Sequence, residues 1–176
     1  MLSVSSVVIR DARVEDAEDM IGILNPIIAA RIYTALDTTF SVEEQRAFIR
    51  NFPLRGIFHV AVDSTSHRVV GLQDVSPFGD FTHAFDHVGV IGTFVNLNRR
   101  REGIAASLFT ATFEAASRKG YEKFFAYVRA DNEPALLTYL AQGFRVIGTA
   151  QRHARIDGRY VDEILIEKLL PLPGQD

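Results

Sequence analysis

The spacing of apolar and polar residues divides the chain into a series of short strands and helices. Ser6 to Arg10 is a β-rich run that predicts a first or edge strand. From Asp11 to Ile28 the period changes: Ala17, Met20, Ile21 and Leu24 recur three or four apart, the spacing of one buried helical face. Pro26 limits how far that helix runs without a kink. Ser41 opens Ser-Val-Glu-Glu, a capping box that predicts a helix over Val42 to Asn51. Ile57 to Val62 and Val69 to Val75 read as strands joined by the polar turn Asp63 to His67, hence a hairpin. Ser76 to His87 breaks the pattern, being aromatic and irregular together, with Pro77, Phe78, Phe81, His83, Phe85, Asp86 and His87.

A strand follows over Val88 to Val95, and then an arginine-rich loop. Ile104 to Lys119 carries Ala105, Leu108, Phe109, Thr112, Phe113 and Ala116 on one stripe, an amphipathic helix closed by Gly120. Lys123 to Arg129 predicts a strand, and Glu133 to Gln142 a helix capped near Asp131 or Asn132 and stopped by Gly143. Strands at Phe144 to Gln151 and Tyr160 to Lys168 complete the pattern, with Pro171, Pro173 and Gly174 marking a frayed tail. No internal repeat, linker or low-complexity stretch interrupts it. The fold class expected is α+β, one domain over residues 1–176 with its core at about 7–170.

Composition narrows the partners. A length of 176 residues suits one domain with a substantial core. Apolar residues at 47% and charged residues at 23% are those of a soluble globular chain. The net charge of −3 argues against nucleic acid, which usually brings a basic excess. With no cysteine, disulfides and thiolate catalysis are excluded. The start Met-Leu-Ser-Val-Ser-Ser has none of the regions of a signal peptide, and no apolar run approaches the roughly 20 residues of a membrane span. No membrane association is expected, and a cytoplasmic protein is the simplest expectation.

The candidate chemistry lies in the loop. Arg100-Arg101-Glu102-Gly103-Ile104-Ala105 sits between a strand and a helix, where backbone N–H groups and the helix dipole converge on an anion. Arg99, Arg100 and Arg101 add charge suited to phosphate. A Walker loop is excluded because no Gly-x4-Gly-Lys-Ser/Thr run exists, and the dinucleotide fingerprint Gly-x-Gly-x-x-Gly is absent as well. Taken alone, Arg-x-x-Gly-x-Ala equally fits an ordinary solvated loop.

Two segments together resemble the GCN5-related N-acetyltransferase (GNAT) superfamily. Phe94-Val95-Asn96-Leu97-Asn98-Arg99 through Ala105 resembles the family's strand end and its Arg/Gln-x-x-Gly-x-Gly/Ala loop. Asn132-Glu133-Pro134-Ala135, then Tyr139, then Gly143-Phe144 resembles the second family pattern, at the right separation. Gly148-Thr149, Gly158-Arg159-Tyr160-Val161-Asp162 and Ser76-Pro77-Phe78 are similar to the phosphinothricin acetyltransferase-like branch. The resemblance implies a central, mostly antiparallel twisted sheet of six to seven strands with about four helices. It implies acetyl-CoA as co-substrate, no metal, a small-molecule amine or amino-acid-like acceptor, and a homodimer.

The same resemblance assigns roles. The pyrophosphate would lie on the backbone N–H groups of Arg101, Glu102, Gly103, Ile104 and Ala105, with Arg100 beside them, and Gly103 would allow close approach. The main chain of Phe94 and Val95 would pair with the pantetheine arm. Asn132 would contact the cofactor, or serve only as a helix cap. Tyr139 would return a proton to the CoA thiolate, or be an ordinary core tyrosine.

The acceptor side departs from the branch, because Val90 stands where the branch has a Glu. An ammonium of pKa near ~10.4 is neutral in only about one molecule in a thousand at pH 7, so a base is wanted. Asp86, His83, His87, His153, Asp162 and Glu163 are the substitutes considered, and none stands out. Phe78, Phe81 and Phe85, with Tyr33 and Phe40, are candidates for an apolar acceptor wall, or for plain core. With no cysteine and no Ser/His/Asp spacing, direct transfer without a covalent enzyme intermediate is expected. A non-catalytic acyl-CoA-binding GNAT module is the alternative, and a peptide acetyltransferase a third.

Overall fold

A computed structural model describes residues 6–172. The first five residues, on which the expectation about a signal peptide rests in part, lie outside that range, as do Pro173 and Gly174 of the expected tail.

Seven strands form one sheet: β1 (Val7–Asp11), β2 (Ile57–Asp63), β3 (Val69–Pro77), β4 (Val88–Val95), β5 (Lys123–Arg129), β6 (Arg145–Ile156) and β7 (Arg159–Leu169). Their spatial order is β1-β2-β3-β4-β5-β7-β6. All neighbours are antiparallel except β4 and β5. A parallel pair needs a long crossover, and α3 (Ile104–Lys119) supplies it.

The period-2 alternation of the strands gives the sheet two apolar faces. On one, Phe58, Val60, Leu72 and Phe94 pack under α1 (Ala17–Ala29), through Met20, Ile23, Leu24, Ile27 and Ile28. On the other, Val75, Ile91, Phe124, Ala126 and Ile166 meet Phe109 of α3 and Tyr139 of α4 (Glu133–Ala141). Each such fully buried Leu, Ile or Phe contributes about 1.5–3 kcal/mol. That burial also carries α1 through Pro26, whose missing N–H weakens but does not end the helix. The capping box of α2 (Val42–Arg50) forms as expected: Ser41 Oγ accepts from Glu44 N–H at 3.2 Å, and Glu44 Oε2 accepts from Ser41 N–H at 2.7 Å.

β6 exceeds its expected length because Asp157 and Gly158, both at positive φ (48° and 79°), make a two-residue turn matched to the sheet's twist. Pairing therefore runs up to Ile156 opposite Arg159.

The feature that positions the site is a parting of strands. β4 and β5 are paired only at Val88–Lys123, Gly89–Phe124 and Val90–Phe125. Beyond that, β4 stays with β3 to Val95 and β5 stays with β7 to Arg129. A cleft opens between them.

Candidate functional site

The cleft has a volume of about 810 Å³ and is lined from three sides. The loop between α1 and α2 contributes Tyr33, Thr34, Ala35, Leu36 and Phe40. The floor is Leu72, Asp74 and Ser76 of β3 with Val90 to Phe94 of β4, and the far wall is Tyr127, Val128 and Arg129 of β5, Tyr139 of α4 and Glu163 of β7. The α1–α2 loop is held down by Arg129, whose Nη1 donates to the Arg31 and Thr34 carbonyls at 2.8 and 3.2 Å.

Asp74 is the group with the chemistry of a base. It lies opposite Gly92 in the β3–β4 register, diagonal to Val90. A Cβ on Gly92 would come within 3.2 Å of Asp74 Oδ1, so glycine there makes room for the carboxylate. Burial beside the apolar floor pushes its pKa from the ordinary 3.8 up to about 7, opposed by a hydrogen bond from its own backbone. Glu163 is also pushed up by burial, with His153 and Arg129 acting the other way.

On the opposite face, Tyr139 stands against the edge rings of Phe109 and Phe144 (centroids 5.3 and 5.1 Å). Its hydroxyl donates to Thr93 Oγ1 at 3.1 Å, and Gln73 Nε2 donates to the same oxygen at 2.8 Å. Burial raises the Tyr139 pKa to about 12, so the phenol keeps its proton at neutral pH. Thr93 thus lies between two walls: Tyr139 on one side of the sheet, Asp74 one strand away on the other.

The backbone of β4 finishes the cleft. Asn96 N–H donates to the Val70 carbonyl and Phe78 N–H to the Val88 carbonyl, which puts the even-numbered residues of β4 in the bonds to β3. Ile91, Thr93 and Val95 therefore turn their N–H and C=O groups toward the opening. At the N-cap of α3, Gly103 adopts φ 78°, and a Cβ there would meet nothing within 4 Å. The first intrahelical bond of α3 runs from Ser107 N–H to the Gly103 carbonyl at 3.0 Å, so the N–H groups of Ile104, Ala105 and Ala106 stand ahead of it. A phosphate fits an open cradle of this kind at a helix N-terminus.

Residues 28–144 match the model of the acetyltransferase (GNAT) family. The chain belongs to that family. A Bacillus subtilis (strain 168) protein provisionally named as the phosphinothricin acetyltransferase YwnH is 21% identical over 154 residues, covering 88% of this chain and 93% of its own. The structure resembles a GNAT-superfamily phosphinothricin acetyltransferase of Sinorhizobium meliloti solved with acetyl-CoA (TM-score 0.84, 19% identity, 96% of this chain and 94% of that one). It equally resembles a ribosomal-protein-alanine N-acetyltransferase of Brucella melitensis (TM-score 0.84, 24% identity, 93% and 99%). The family and the mixed sheet expected from the sequence are both borne out.

Within the GNAT frame, several expected site residues lie elsewhere or are engaged otherwise. Phe94 spends its own N–H and C=O on Leu72, and its ring packs under α1, so the groups available to a pantetheine arm belong to Val95 and its odd-numbered neighbours. Asn132 is occupied at both ends: Oδ1 accepts from Ala135 N–H at 3.3 Å and Nδ2 donates to the Tyr33 carbonyl at 2.9 Å. These two bonds make Asn132 a helix cap that also anchors the α1–α2 loop. The Glu102 side chain accepts from Arg99 Nε at 2.7 Å, Ile104 is buried against Gly71, and Arg100 stacks over the Tyr33 ring at 4.2 Å. Arg101 takes φ 64° at the tip of the loop, and its side chain is exposed.

Phe78 and Phe85 do not line the cleft. With Phe81, which is 77% exposed, they form an edge-on aromatic cluster outside it, Phe78 touching Phe125 at 6.0 Å between centroids. Tyr33, Phe40 and Val90 do line it. Among the bases considered, Asp86 fails because β4 begins at Val88; it pairs with Arg55 (3.0 Å) and His83 (3.1 Å) at the surface. Asp162 accepts from Arg152 N–H at 2.6 Å, and of the three acids on β7 (Asp162, Glu163 and Glu167) only Glu163 lines the cleft. No group of three or more His, Asp or Glu side chains suited to a metal occurs among the described residues, nor does any helix there have the length and apolarity to cross a membrane.

Asp74, Thr93 and Gln73 are the members that sequence reasoning missed. The signal was present: Gln73-Asp74 is a polar pair inside the apolar run Val69 to Val75. On a central strand two consecutive polar residues put one on each face, and both must find a purpose.

Proposed function

We propose that this chain is an acetyl-CoA-dependent N-acetyltransferase that acetylates the amino group of a small amine by direct transfer, with Asp74 as base and Tyr139 as acid. The observation that carries this reading is the pair itself: a carboxylate with a pKa near neutrality and a protonated phenol on opposite faces of the strand gap.

Acetyl-CoA supplies the acetyl group as an activated thioester. The first-turn N–H groups of α3 would hold its pyrophosphate, and the free edge of β4 at Ile91, Thr93 and Val95 would pair with its pantetheine arm as an added strand. The acceptor would enter under the α1–α2 loop, where Phe40, Leu72 and Phe94 exclude water. Asp74 takes the ammonium proton. An amine of pKa ~10.4 passes its proton to a group at about 7 with a penalty of roughly 5 kcal/mol, against roughly 9 to an ordinary aspartate. The neutral amine would attack the thioester carbon, and the C–S bond would break. Tyr139 would turn its hydroxyl from Thr93 to the departing sulfur and protonate it. The second proton, shed by the new amide nitrogen, would return the phenolate to the phenol through solvent. Asp74 supplies, one strand over, the carboxylate whose loss at Val90 favoured a binding-only module. Acceptor identity, homodimerisation and a cytoplasmic setting rest on the family resemblance and on composition.

Calorimetric titration with acetyl-CoA tests the foundation. Micromolar binding is expected for the parent, and Gly103→Glu should abolish it by bringing a carboxylate to the phosphate cradle. No binding to the parent would end this reading.

A further inference from the structure

The charges on the cleft wall are unbalanced. Three carboxylates line it, Glu44, Asp74 and Glu163, and Arg129 is the basic side chain among the lining residues. Glu44 is committed to the α2 cap, where Ser41 N–H and Oγ both donate to it. Arg129 is committed as well: Nε and Nη2 donate to the two oxygens of Asp131 at 2.8 and 2.7 Å, and Nη1 to two loop carbonyls. Asp74 and Glu163 are left facing the same space. Glu163 is only 3% exposed, and its ion-pair partner is the half-exposed His153 of β6, 3.7 Å away and charged only when protonated. Arg129, across the strand from Glu163, attracts it only through space, because its hydrogen bonds go to Asp131 and to the two loop carbonyls. A carboxylate so buried is costly unless a ligand adds a hydrogen-bonded positive charge.

The two carboxylates also stand apart in a defined way. Asp74 shares its sheet face with Leu72, and Glu163 lies opposite Arg129 in the β5–β7 register, on that same face. From β3 across β4 and β5 to β7 is more than three strand spacings (roughly 14 Å), because β4 and β5 have already parted at this level. The same cleft is also lined by the apolar side chains of Phe40, Phe48, Leu72 and Phe94.

Building on the acetyltransferase reading, we infer that Glu163 binds a second cationic group of the acceptor, so that the substrate is an elongated dication of the diamine or polyamine class. Its reacting nitrogen sits at Asp74, its methylene chain crosses the apolar floor, and its distal ammonium pairs with Glu163. An amino acid or phosphinothricin would instead bring an anionic group into a cleft whose arginine is already paired.

The test is steady-state kinetics of the full chain with a long α,ω-diaminoalkane, the monoamine of equal chain length, and phosphinothricin, on the parent and on Glu163→Gln. The diamine should show a KM at least about tenfold below that of the monoamine, the worth of one partly buried charge-assisted hydrogen bond. Glu163→Gln should raise the diamine KM by about the same factor and affect the monoamine KM far less. Equal KM values for the two amines in the parent, or preferred turnover of phosphinothricin, would overturn the inference without any variant. Equal losses with both amines in Glu163→Gln would overturn it too. If acetyl-CoA binds and monoamines are acetylated best, only the dication falls; if acetyl-CoA does not bind, the acetyltransferase reading falls first.

Discussion

The two sides of the strand gap are made of different material. Toward α3 the surface is backbone: the outward N–H and C=O groups of Ile91, Thr93 and Val95, the first turn of α3, and a left-handed Gly103 with open space above it. Toward α1 and α2 it is side chains, with Asp74 from β3, Val90 from β4, Arg129 from β5 and Glu163 from β7. A backbone surface depends on conformation and tolerates many side-chain exchanges. A side-chain surface tolerates small backbone changes but changes its chemistry with one substitution. In this chain the first side fits a ligand shared across a family, and the second fits an acceptor peculiar to its owner.

Substitutions on each side should break that contrast in different ways. Asp74→Asn carries the largest expected effect, a loss of about 10²–10⁴ in kcat/KM, with acetyl-CoA affinity unchanged by calorimetry. The same variant should be the more stable protein at alkaline pH. The folded-state pKa of Asp74 lies above its unfolded value, so the folded chain binds the extra proton. Stability is therefore lost as pH rises from about 4 through about 7, and removing the group restores about 2–4 kcal/mol above pH 7 and nothing below pH 4. Thermal melts of both proteins at pH 4 and pH 8 check the sign.

Tyr139→Phe comes next. It retains the ring contacts with Phe109 and Phe144 and removes only the hydroxyl, so a fall of roughly 10–100-fold in kcat with little change in KM is expected. A proportional rise in KM instead would assign Tyr139 to binding. Gly103→Ala is the smallest. Its Cβ meets nothing, but an alanine at φ 78° costs about 1 kcal/mol. Acetyl-CoA affinity should drop only a few-fold, measured by titration beside Gly103→Glu. An Ala variant as damaging as the Glu variant would mean that conformation, not charge or space, governs the cradle.

The same contrast explains what could be read before the structure was known. The β4 strand, α3 and its Gly120 cap were legible to the residue, because apolar period, glycine and loop chemistry all agreed there. The Arg100-to-Ala105 loop was legible because a backbone site leaves a contiguous signature: small residues, a strand before and a helix after. The acceptor side was not. Asp74 and Glu163 lie 89 positions apart in the sequence and meet only through the strand order β3-β4-β5-β7. Phe78 and Phe85 look like a pocket wall by composition, but the strand ends at Pro77 and carries them outside the cleft. Asn132 sits at the family's position and also donates to the α1–α2 loop, a contact 99 residues distant in sequence.

The pH dependence of kcat/KM for amine acetylation, run on the parent and on Asp74→Asn, bears most directly on the central claim. If Asp74 is the base, the parent should show an ascending limb with an apparent pKa near 7, and the Asn variant should lose both that limb and about 10²–10⁴ in rate. A variant with the parent's profile and rate would place the base elsewhere and contradict the assignment.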